Sequence, residues 1–272
     1  MTKVTQFKIT TLGNLHVGSG EQNFGVVDNL VQKDPITEIP MINSSSLKGA
    51  IKEHFRNVLN CDMDTQRMKT IFGHSDKDEA NAGEVKFLQA GLLALPVRSN
   101  KQLYFMATTS QILKDYIDNH KILTKENIDL IIPDIDDEHK VYISTDDDEC
   151  FVEDYKVDVK NVEALRTISN KLFDGLPLAL IQDDVFKTLT LPIITRNKIA
   201  KTADDENNLF YEEVIPRRTL FYSYMITPDE SDIADERIKN VFTKFIEDMS
   251  KENIQIGANA SIGYGLCEFK EV

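Results

Sequence analysis

Two amphipathic helical stripes bracketed by short β-type runs constrain the fold of this 272-residue chain more than any other feature. Leu47, Ile51, Phe55, Val58 and Leu59 recur at helical spacing near the start; Ile238, Val241, Phe242, Phe245, Ile246 and Met249 do so near the end. Runs with strand character flank both stripes, at 5–17, 84–94, 102–108, 189–194, 220–226 and 253–256. Further helices are expected after Ser110 (Ile112, Leu113, Tyr116) and over 161–173 (Val162, Leu165, Ile168, Leu172). Ser44, Ser45 or Ser46 is expected to cap the first helix, and Ser110 the one that follows it. The polar stretch between the runs at 189–194 and 220–226 reads as a long hairpin or loop standing off the body. The recurring order of strand, helix, strand pair, helix and closing strand predicts an α+β fold with helices on one face of an antiparallel sheet. A ferredoxin-like (RRM-type) core with insertions is one such fold. The length suits a single large domain over 1–272.

The net charge is −14 and the pI about 4.8, which excludes a protein that coats nucleic acid or anionic membrane indiscriminately. The acidity is local. Residues 134–158 hold 11 acidic and 2 basic side chains, and 228–237 hold 5 and 1, which leaves the rest of the chain close to neutral. Both runs read as solvated loops or rims, turned away from any nucleic acid. Cys61, Cys150 and Cys267 are far apart and odd in number, so neither a disulfide framework nor a zinc ribbon is expected, and a reducing compartment fits. The first residues read as a strand rather than a signal peptide, and no window approaches the roughly 20 apolar residues of a membrane span. A cytoplasmic protein without a membrane partner is expected.

Two regions carry candidate chemistry. Near the N-terminus, His16-Val-Gly-Ser-Gly20, the run Gly25-Val-Val-Asp28 and the serine cluster Ser44-Ser45-Ser46-Leu-Lys48-Gly49 follow in quick succession. Backbone amides, hydroxyls and a lysine at a helix start suit an anion. Near the C-terminus, Gly257-Ala-Asn-Ala-Ser-Ile-Gly263-Tyr-Gly265 places three glycines in nine residues, which permits positive φ angles and close backbone approach. This loop follows a strand but opens no helix, and it lacks the GK[ST] of a P-loop.

The ordered set HVGSG, GVVD, SSSLKGAIKEHF, GEVKFLQAGLLALPVRS, TRNKI…NNLFYEEVIP…TLFY and IQIGANASIGYGL resembles the RAMP proteins of CRISPR systems. The likeness is greatest to the backbone subunit of the type III-B (Cmr) effector complex, and the matched stretches cover about two-fifths of the chain. The resemblance implies a ferredoxin-like palm with a β-hairpin thumb at 193–213 and an acidic insertion at 124–182 that has no placed counterpart. It implies copies packed side by side along a CRISPR guide RNA with other Cmr-complex subunits, and cleavage of complementary target RNA opposite each copy. It implies a weakly held divalent metal, Mg²⁺ by its chemistry. Asp28 matches the aspartate tied to cutting, as base or metal ligand; His16 and Glu212 are further catalytic candidates. Guide contacts are expected at Lys48, Ser44, Ser45, Ser46, Lys52 and Arg56 on the first helix. Arg98, Arg196, Gly257, Gly263 and Gly265 are expected to contact RNA elsewhere. Glu212 and Glu213 would otherwise fix the thumb through Arg217 and Arg218, and Phe210 and Tyr211 would anchor it. Two alternatives stay open: a non-catalytic RNA scaffold of the same superfamily, and an enzyme binding a phosphorylated metabolite at the helix start and the glycine loop.

Overall fold

The computed structural model describes residues 2–20, 25–57, 65–75, 80–135, 140–198, 208–232 and 240–272. The chain forms two compact units. The first comprises 1–91, 191–217 and 221–272, and the second 92–190 with 218–220.

In the first unit the opening strand Thr2–Thr11 lies antiparallel to the closing strand Leu266–Glu271, with Ile9 opposite Phe269. On its other side it neighbours the central strand Leu220–Pro228. Lys86–Phe87 pairs antiparallel with that strand in turn, Phe87 opposite Met225, and the Leu88 N–H donates to the Tyr224 carbonyl. Numbered along the chain, the four strand positions run 4-1-3-2. One helix, Ser44–Asn57, lies between the first two, and another, Val241–Lys251, between the last two. This is the ferredoxin-like order expected from the alternation of strand and helix.

The two helices bury the predicted stripes: Leu47, Ile51 and Phe55 on one, and Val241, Phe242, Phe245, Ile246 and Met249 on the other. Val58, Leu59, Ile238 and Cys61 lie outside the described residues. Phe55, Phe72, Phe87 and Phe245 interlock, with ring centroids 5.0 to 6.1 Å apart. Each buried ring stabilises the unit by about 1.5–3 kcal/mol of apolar burial. The expected hairpin is present: Ile193–Lys198 pairs antiparallel with Asn208–Glu213, in register from Ile193↔Glu213 to Lys198↔Asn208. The acidic tip between the two strands lies outside the described residues.

The second unit contains four strands in succession. The strand Ala90–Val97, which enters this unit at Leu92, runs antiparallel to Phe105–Thr109. Phe105–Thr109 lies parallel to Leu178–Ile181, which is antiparallel to Val141–Ile143. Helices Ser110–Thr124 and Val162–Leu172 bury Leu113, Tyr116, Leu165 and Ile168. Thr109, not Ser110, caps the first of these helices, its side chain accepting from the Ile112 N–H; the Ser110 hydroxyl instead donates to the Pro133 carbonyl.

The first acidic run is not the solvated loop expected from its charge. Val141, Tyr142, Ile143, Cys150, Val152 and Val157 from it are buried, whereas Asp146, Asp148, Glu149 and Asp154 are exposed. Val141–Ile143 is a short apolar run buried without interruption, and the density of Asp and Glu around it hides that run in the sequence. Among the described residues no helix is long and apolar enough to cross a membrane.

Candidate active site

The three glycine- and serine-rich segments singled out in the sequence converge in the first unit. A groove of about 520 Å³ is lined by Gly18 of the HVGSG segment, Ser46, Gly49 and Glu53 of the first helix, and Gly257 of the terminal loop. Gln32 ties two of these segments together. Its amide donates to the Gly18 carbonyl (3.1 Å) and to the Ser46 hydroxyl (2.9 Å), while its oxygen accepts from the Asn43 N–H (2.8 Å). Gln32 is buried and satisfies three polar groups that would otherwise lack partners. Sequence reasoning missed it because a lone glutamine in a loop carries no pattern. The helix begins with Asn43 in the capping place, its carbonyl accepting from the Leu47 N–H. Ser44, Ser45 and Ser46 therefore occupy the first helical turn rather than the cap.

Asp28 is exposed and is set by the hairpin. One of its carboxylate oxygens accepts from the Tyr211 N–H at 2.8 Å, and its own N–H donates to the Tyr211 carbonyl at 3.0 Å. The next residue continues the pairing, Asn29 bridging in parallel to Glu212. The aspartate, 183 residues away in sequence, thus rides on the base of the thumb.

Beneath it lies a buried polar network. Glu212 is 4 % exposed, and its Oε2 accepts from Arg196 (3.0 Å) and from Asn259 of the glycine loop (2.9 Å). His16 Nε2 stands 3.7 Å from Glu212 Oε1, and the ring's Nδ1–H donates to the Glu213 carbonyl at 2.7 Å. Both faces of His16 are thus turned to the chain itself, and the ring is buried. Arg196 also lies 5.5 Å from the Tyr264 ring centroid, so its guanidinium is committed to carboxylate and ring. The expected partners of the two glutamates are replaced. Glu212 pairs with Arg196 and Glu213 with Lys33, whereas Arg218 meets the Tyr104 hydroxyl and ring.

Lys48 and Lys52 share one flank of the first helix. Burial chiefly, and the charge of Lys52 second, hold the Lys48 ammonium below its usual range, and it lies 6.0 Å from the Phe87 ring centroid. A partly desolvated cation beside a like charge gains when an anion arrives. Arg56 is exposed and pairs with Glu53 and Asn57 on its own helix. Arg98 belongs to the second unit, where Glu153 of the acidic run takes its guanidinium at 2.6 and 3.0 Å. The hydrogen bonds that the Arg98 guanidinium donates to Glu153 raise its pKa above the ordinary value.

The close approaches at the terminal loop are internal. Side chains at Gly257 and Gly265 would collide with the carbonyls of His16 and Ile256, whereas Gly263 faces open space. Among the described residues no three His, Cys, Asp or Glu side chains form a metal cluster. The exposed Asp28 carboxylate would hold a hydrated divalent ion, which would supply charge neutralisation at a phosphate.

A ferredoxin-like palm, a hairpin rooted in it and a glycine-rich loop closing on both define a palm-and-thumb protein with one exposed carboxylate at the junction. The model of the RAMP superfamily matches residues 8–268, and the chain belongs to that superfamily. The CRISPR system Cmr endoribonuclease Cmr4 of Pyrococcus furiosus is 30% identical over 284 residues, covering 96% of this chain and 94% of its own. In fold, the chain is similar to oligomeric Cmr4 from Pyrococcus furiosus, with a TM-score of 0.71 at 23% identity over 99% of this chain and 98% of that one. It is likewise similar to a chain of the type III-B Cmr-beta complex bound to cognate target RNA, with a TM-score of 0.75 at 21% identity over 99% and 97%.

Proposed function

We propose that this chain is the guide-RNA-binding backbone subunit of a type III-B (Cmr) CRISPR ribonucleoprotein and cuts complementary target RNA within it. The observation that carries this reading is the exposed Asp28 carboxylate, fixed by a main-chain amide at the root of the thumb. Membership of the superfamily and the 30% identity to an endoribonuclease of a Cmr system support it.

The chemistry is in-line attack of a ribose 2′-OH on the neighbouring phosphorus. The Asp28 carboxylate takes the 2′-OH proton as the oxygen attacks. The 5′ oxygen leaves with a proton from solvent, and a 2′,3′-cyclic phosphate remains. A divalent ion held by Asp28 would neutralise charge on the phosphate oxygens. His16 and Glu212, buried and turned toward the chain's own groups, position the loop and the thumb. Lys48, with the first-turn serines, holds guide phosphates. The partners are guide RNA, target RNA, further copies of the chain and other Cmr subunits, in the cytoplasm.

The complex assembled with a guide RNA is expected to cut a complementary RNA at regular intervals, and a 2′-deoxy nucleotide at one cut position to remove that cut alone. Cutting that persists at the deoxy position rules out the 2′-OH route. Lys48→Ala is expected to weaken guide binding and to reduce the salt dependence by about one phosphate contact per subunit. Titrating guide affinity against salt checks this, and an unchanged slope removes Lys48 from the guide path.

A further inference from the structure

We propose that Glu213 and Lys33 form a clasp that sets the carboxylate of Asp28, making both of them positioning residues for cutting. The proposal rests on the reading of Asp28 as the group that acts at the scissile phosphate. Glu213 is buried, and each of its polar groups is engaged. Its N–H donates to the Asn29 carbonyl at 2.9 Å, and its own carbonyl accepts from His16 Nδ1 at 2.7 Å. Its Oε2 accepts from the Val31 N–H at 3.2 Å, and its Oε1 from Lys33 Nζ at 2.8 Å. Three of these four links reach the segment 29–33 that directly follows Asp28. Two residues earlier on the same strand, Tyr211 holds Asp28 itself.

Val31 is 2 % exposed, so its N–H has no access to water and the carboxylate is its partner. A carboxylate buried for that purpose needs a compensating charge, and Lys33, at the edge of solvent, supplies it. Without the ammonium, Glu213 is driven toward water, the Val31 N–H is left unpaired, and the loop bearing Asp28 loses its register against Tyr211. A carboxylate displaced by about 1 Å from its working position costs on the order of 100-fold in rate. A partial loosening costs less, so about tenfold or more is expected here.

The test uses the complex assembled with guide RNA, comparing wild type, Lys33→Met, Lys33→Arg and Glu213→Gln. Single-turnover cutting and target affinity are measured for each. Lys33→Met is expected to lower the cutting rate about tenfold or more at unchanged target affinity, and Lys33→Arg to restore most of it. Glu213→Gln keeps the shape and one acceptor. It is expected to show the same selective loss, and it serves if Lys33→Met does not assemble. Cutting by Lys33→Met at the wild-type rate overturns the clasp, as does a parallel loss of target binding that marks Lys33 as an RNA contact. A wild-type complex that does not cut at all tells instead against the reading of Asp28.

Discussion

Asp28→Ala is expected to lower cutting of a guide-matched RNA by about 100-fold or more while leaving guide and target affinity within about threefold. The expected size is that of a positioned proton acceptor, typically 10²–10⁴-fold. The separation of rate from binding follows from the structure. Asp28 is exposed, so its truncation opens no core cavity, and the Tyr211 N–H it releases is freed at the surface rather than stranded in the interior. Asp28→Asn sharpens the result. The amide oxygen still accepts from the Tyr211 N–H, so the loop keeps its place while the basic group is lost. Single-turnover cleavage beside filter-binding affinities reads both quantities. Retained cutting by either variant would move the chemistry to another residue.

The second large effect is on stability. Gly265→Ala is expected to cost about 3 kcal/mol or more, the range of substitutions that force a strained, overpacked site. Gly265 is buried at a φ of +77°, a region that disfavours any side chain, and an added Cβ would collide with the Ile256 carbonyl and the Gln255 amide. Its N–H also donates to the Asn14 carbonyl at 2.7 Å, and the Gly265 carbonyl accepts from the Ile256 N–H at 2.8 Å. The clash thus falls where the closing strand meets the loop of the opening strand. Gly263 is the internal control. Its φ is +83°, but the space around it is open, so Gly263→Ala should cost only the left-handed conformation, about 1–2 kcal/mol. Urea unfolding of the two variants side by side measures the difference. Equal losses would mean that conformation alone, not close approach, requires glycine at 265.

Much of the fold was legible because it depends on local pattern. The stripe Leu47, Ile51, Phe55 and its C-terminal counterpart are periodic, and periodicity survives without knowledge of neighbours. The hairpin at 193–213 was expected from the family resemblance, while the polar stretch between the runs at 189–194 and 220–226 suggested only a hairpin or loop. The acidic run at 134–158 was misjudged because charge density hid the short buried run Val141–Ile143 and the buried Cys150 and Val152. In the candidate site, Asp28, Lys48 and the glycine loop stood out by motif. Gln32 and Lys33 did not, since Gln32 acts through three partners 11 to 14 residues away and Lys33 through Glu213, 180 residues along the chain, and neither link leaves a motif.

The sequence by itself determined the α+β class, the order of its elements and the segments that gather at the thumb's root. These follow from side-chain period, turn chemistry and motif order, all of which are written along the chain. Only the tertiary structure decided which charges remain available. Arg196 is held by Glu212, Arg98 by Glu153, and His16 is enclosed between Glu212 and the Glu213 carbonyl, whereas Asp28 stays at the surface. The physical reason is that an ionisable group's chemistry is set by burial and by the charge beside it, and that neighbour stands 16 residues away for Arg196, 55 for Arg98 and nearly 200 for His16.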